Sequence, residues 1–138
     1  MNLFKSIAIS FLLAAFLLTA SAVNAEEGGS KAEGGGKDLV VKMDAIVVNL
    51  LGPTQQYIQV VMFLKLATPE VGERVKLYMP VIRHKMILLL TTKTAIQLEE
   101  TAGKQKLVLE SKGAVNKAIE LTEKEGVTDV LFDSFIIQ

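Results

Sequence analysis

Between Tyr57 and Leu66 the chain alternates strictly, with Ile58, Val60, Met62, Leu64 and Leu66 on one side, which predicts a strand with one buried face. The preceding run, Met43 to Leu50, is rich in β-branched residues, and Gly52-Pro53 breaks it. Together the two predict an antiparallel hairpin. The period changes after Thr68-Pro69-Glu70, where Thr68 is placed to cap a helix and Pro69 sits at its first position, with Glu70 and Glu73 suiting the positive end of its dipole. Val71, Val75, Met79, Ile82, Met86 and Leu89 then recur at steps of three and four, one stripe running through to Leu90. Pro80 lies inside it, lacks the amide that would bond the carbonyl of Lys76, and so predicts a kink or a restart that sets the angle between two half-helices.

Downstream, Thr94 leads a short helical turn, Ala102-Gly103-Lys104 reads as a turn, and a second amphipathic stripe of Val108, Ser111, Val115, Ala118 and Ile119 predicts a helix from Lys104 to about Lys124. Gly113 weakens that helix by about 1 kcal/mol against alanine, and Gly126 is the expected terminator. Val127 to Ile137 closes the chain as a strand, with Val130, Phe132 and Ile136 on one face and Asp129, Leu131, Asp133 and Phe135 on the other. The fold class is α+β: a small sheet of about three or more strands packed against two main helices, in the order β-β-α-α-β.

The front end changes the picture of where this domain works. Behind Lys5 lies an uncharged run to Ala25, closed by the small-residue site Val23-Asn24-Ala25, which predicts a secretory signal over residues 1–25. Its most apolar part, Ile7 to Ala20, would reach roughly 21 Å as a helix against a hydrocarbon core of about 30 Å, so cleavage after Ala25 is favoured over a short uncleaved anchor. Residues 26–37 (EEGGSKAEGGGK) lack any large apolar side chain and read as a flexible tether, which leaves residues 38–138 as one periplasmic domain. The chain has 15 basic and 15 acidic residues, so its net charge gives no field that would draw nucleic acid. It has no cysteine, which excludes disulfides, a thiol nucleophile, a thiolate metal ligand and a lipid-modified cysteine behind the signal.

Catalysis fails on inventory. Beyond the expected signal there is one histidine, His84, and three serines, Ser30, Ser111 and Ser134, and no metal-ligand spacing, so neither a triad nor a zinc site can be assembled and no cofactor is expected. Interaction residues are the better candidates. In Pro80-Val81-Ile82-Arg83-His84-Lys85, His84 points away from the buried stripe with Arg83 and Lys85 on its flanks; this is a solvated face, a partner surface, or, for Arg83, a group bonded inward. Ile87 and Leu88 also project away from the stripe, so either the domain's own sheet or a subunit contact must cover them. Leu131 and Phe135 mark the closing strand as an edge able to accept a neighbour, whereas Asp129 and Asp133 beside them fit a solvated or protected edge better than a metal pair.

Taken in order, the strand Val47 to Leu50, the strand Tyr57 to Leu66, Pro80-Val81-Ile82-Arg83 ahead of an apolar helix, Gly103-Lys104 ahead of the second helix, and the ending Val130 to Gln138 resemble the FliL family of flagellar basal body-associated proteins over nearly all of Lys42 to Gln138. The ending is the most specific of these pieces. The resemblance implies a periplasmic domain similar to the stomatin-type (SPFH-like) membrane-scaffold fold, with no enzymatic activity. It implies a homo-oligomeric ring around the stator units of the flagellar motor, bound to the inner membrane directly or indirectly and supporting motility or swarming. The competing expectation from the residues is a soluble periplasmic binding module for a peptide or small ligand, using the exposed closing strand.

Overall fold

The alternating segment becomes the centre of a four-stranded antiparallel sheet. In the computed structural model, which describes residues 39–138, the strands are β1 (Val40–Lys42), β2 (Ile46–Asn49), β3 (Tyr57–Leu66) and β4 (Val127–Ile137). The expected signal and the tether lie outside the described residues. Strands β1 and β2 follow one another along one side of β3, and β4 runs the whole length of its other side. The expected Met43–Leu50 strand is thus shortened to β2, and a separate strand, β1, precedes it. Met43 turns into the core between two short strands, and its amide bonds the carbonyl of Met62 at 2.8 Å.

The helices are α1 (Glu70–Leu77), α2 (Met79–Thr91), α3 (Ala95–Glu99) and α4 (Thr101–Ile119). The chain restarts rather than kinks at Pro80. Tyr78, with φ −94° and ψ 8°, ends α1 and begins α2, so Pro80 lies in the first turn of a new helix, where its missing amide is no loss. Thr68 makes no side-chain cap of α1, and Pro69 is already helical at φ −59°. Thr94, by contrast, forms a full capping box with Gln97 at the head of α3.

Helix α4 starts three residues earlier and ends about five residues sooner than its stripe predicts. Ala102, Gly103 and Lys104 form its first turn, not a loop. Gly103 is needed there for closeness: a Cβ would overlap the backbone carbonyl of Gln97 in α3. The helix stops at Glu120, which takes the left-handed conformation at φ 56°, and Arg74 reaches across from α1 to donate Nε–H to the free carbonyl of Ile119 at 2.5 Å. Gly126 therefore has a different task. A Cβ on it would strike the side-chain oxygen of Asn116.

One face of the sheet takes all the helices. Ile58, Val60, Met62 and Leu64 of β3 meet Ile82, Met86 and Leu90 of α2 and Leu107, Val115 and Ile119 of α4 in one closed core. Each such side chain removed from water contributes about 1.5–3 kcal/mol. The stripe leaves α2 through Leu90 rather than Leu89, and enters α4 through Leu107 rather than Val108.

Candidate functional site

Among the described residues the buried core is apolar apart from Ser111 and Asn116, and several large apolar side chains stay open on the surface. Among the described residues no group of three or more His, Asp or Glu side chains is placed to hold a metal. Two depressions among the described residues are small: about 110 Å³ beside Lys93, Gln97 and Lys106, and about 200 Å³ beside Leu51, Pro53 and Ile96. Both fall short of the roughly 300 Å³ at which small-molecule pockets begin.

The α2 candidates separate by what they touch. Arg83 turns inward: its Nη2 donates to the carbonyl of Ala45 at 2.8 Å and its Nη1 leans on that of Asp44 at 3.4 Å, fastening the link between β1 and β2. Of the readings open to it, the inward bond is the one the structure adopts. His84 is exposed on the opposite side, with Lys85 half-buried next to it. Ile87 packs partly against the core, but Leu88 remains 54% exposed, so among the described residues only the first of the pair is covered. Val81 and Leu88, one heptad apart with His84 between them, make an open stripe on a helix that has no acidic residue.

The closing strand corrects the expected faces. Its pairing with β3 runs Val61↔Ser134 and then Met62↔Phe132, so Asp133 is an extra residue; Thr128 is a second, between Lys65↔Asp129 and Leu66↔Val127. Each bulge reverses the alternation. Val130 and Phe132 face inward as expected, but beyond Asp133 it is Phe135 and Ile137 that join the core and Ile136 that turns out. Phe135 stacks edge-on to Phe132 at 5.0 Å and lies under the Lys104 ammonium at 5.5 Å. Leu131, 46% exposed, and Ile136, 42% exposed, are the apolar groups that β4 leaves in water.

These two belong to the uncovered face of the sheet, with Val47 of β2 and Phe63 of β3. Lys42 crosses that face above the Phe63 ring to reach Asp133 at 3.3 Å, an exposed pair whose worth is about 0–1 kcal/mol. Sequence reading missed Val47 and Ile136 as members of this face, and only the pairing register reveals them. At the far end, Gln138 exchanges both backbone hydrogen bonds with Tyr57 and accepts a third from its hydroxyl, which ties the last residue into the sheet.

The model of the family described as flagellar basal body-associated protein FliL matches residues 40–138, the whole of this sheet and its helices. Two relatives are similar over the same region. The flagellar protein FliL of Escherichia coli (strain K12) is 29% identical over 97 residues, which are 70% of this chain and 62% of that protein. The flagellar protein FliL of Aquifex aeolicus (strain VF5) is 29% identical over 102 residues, 72% of this chain and 62% of that one. The match thus spans less than two thirds of the length of either relative.

Proposed function

This chain belongs to the FliL family of flagellar basal body-associated proteins, and from that premise we propose that it is a non-catalytic building block of the flagellar motor, acting in the periplasm and assembling with copies of itself around the stator units. The observation that carries the reading is the match over residues 40–138, taken with a closed core and apolar side chains left open at Leu88 and Leu131. A scaffold needs such surfaces and no pocket.

In this reading residues 1–25 export the chain or hold it at the inner membrane, and residues 26–37 are a tether to the domain. Among the described residues no helix is long and apolar enough to cross a membrane. The stripe of Val81, His84 and Leu88 and the open sheet face around Leu131 are the contact surfaces. Fractionation of the host followed by crosslinking tests this. Co-migration of the protein with motor stator units in the membrane fraction is the expected result, and a free periplasmic monomer would contradict it.

A further inference from the structure

A surface separate from the Leu88 and Leu131 patches carries a more specific message. Helix α4 turns Lys106, Leu109, Gly113 and Lys117 to solvent along one ridge, at steps of three, four and four. Leu109 is 62% exposed. Gly113 sits mid-helix, where glycine is the weakest helix former short of proline, yet a Cβ there would meet nothing within 4 Å. No contact inside this domain therefore calls for it. What the glycine does create is a hollow between a projecting leucine and a lysine, over a ridge roughly 16 Å long.

Charge adds a second, independent sign. The chain is neutral in sum, but α2 and α4 carry six basic residues (Arg83, Lys85, Lys104, Lys106, Lys112, Lys117) against one acidic residue. That one, Glu110, is taken up by Lys93 at 2.5 Å. Lys112 is bridged to Glu123 at 2.9 Å, while Lys117 makes no ion pair among the described residues and Lys106 lies 4.0 Å from Glu110 with its side chain 74% exposed. Lys106 and Lys117 are thus the open cations of the α4 ridge, with no carboxylate on the ridge itself.

We propose that this α4 ridge docks an amphipathic helix of another protein, one that lays an apolar stripe over Leu109 and Gly113 and sets carboxylates against Lys106 and Lys117. The straight ridge suits a helix, and the hollow admits a side chain of it closely. An anionic bilayer is the poorer fit, because the ridge offers one leucine and no aromatic anchor, and a lipid surface gains nothing from a glycine. A second copy is also poorer: α1, the helix with two carboxylates, carries as many cations in Arg74 and Lys76. The inference does not depend on which machine the protein serves.

The test places a photoreactive benzoylphenylalanine at Gln105, exposed beside the ridge, in the full-length chain in its own host, and sequences whatever segment it crosslinks. The expected capture is an apolar segment of a different protein flanked by Asp or Glu. Its yield should fall at least about tenfold in Lys106→Glu/Lys117→Glu and in Gly113→Phe. Because Gly113 faces open space, Gly113→Phe should unfold at a temperature no lower than the unsubstituted protein, which separates lost docking from lost fold. Crosslinks to a second copy, to lipid or to nothing, or a yield that survives both variants, would overturn the proposal.

Discussion

Asn116 and Val127 are joined by two hydrogen bonds of 2.8 Å, one in each direction, so that a helix side chain stands in for a neighbouring strand at the first residue of β4. Asn116 is buried, and its amide satisfies both backbone groups of Val127. Gly126 lets it come close. Asn116→Ala leaves a buried N–H and a buried C=O without partners, and the expected loss is about 2–4 kcal/mol, read by urea unfolding. A loss under about 1 kcal/mol would mean that water replaces the amide.

Two glycines of α4 should respond to alanine with opposite signs. Gly103→Ala drives a Cβ into the Gln97 carbonyl and should cost about 1–3 kcal/mol, whereas Gly113→Ala adds a methyl in open space and should stabilise by about 1 kcal/mol. Thermal midpoints measured side by side decide this. Equal effects would contradict the close approach of α3 and α4.

Arg83→Met removes the donors to Asp44 and Ala45 while keeping much of the aliphatic bulk. We expect destabilisation of about 1–2 kcal/mol and no change in oligomeric state, measured by unfolding and by sedimentation. Leu88→Lys should do the reverse. It should disperse oligomers and change stability by no more than about 0.5 kcal/mol, because Leu88 is already more than half in water. If it unfolds the protein instead, Leu88 is part of the core.

Glu70 provides a pH test. The Thr68 side chain first, and then the residue's own backbone amide, hydrogen-bond its carboxylate and hold it below its ordinary value. A depressed carboxylate contributes stability that is full above the ordinary carboxylate range and drains as pH falls through the depressed value. Thr68→Val should therefore move the Glu70 titration upward when followed by NMR. An unmoved titration would show that the backbone amide suffices.

The parts of the fold legible in the sequence are the spans of its long apolar-rich segments. Tyr57–Leu66 and Val127–Ile137 appear as expected, and the apolar steps of α2 place Ile82 and Met86 inside. Legibility ended wherever a residue served a distant neighbour. The bulges at Thr128 and Asp133 depend on how β4 pairs with β3, so the inward turn of Phe135 and the outward turn of Ile136 cannot be counted from alternation alone. Gly103 and Gly126 looked like punctuation, whereas each makes room for a group from another element. Arg83 offered three readings, and only the carbonyls of Asp44 and Ala45 choose among them.

The claim that this domain is a motor building block joined through its open surfaces is tested most directly by swimming in soft agar. A host lacking the gene would be complemented with the unsubstituted chain or with Leu88→Lys. Reduced spreading, restored by the first and not by the second at equal protein levels, is the predicted result. Full motility without the gene, with the protein recovered as a monomer, would contradict it.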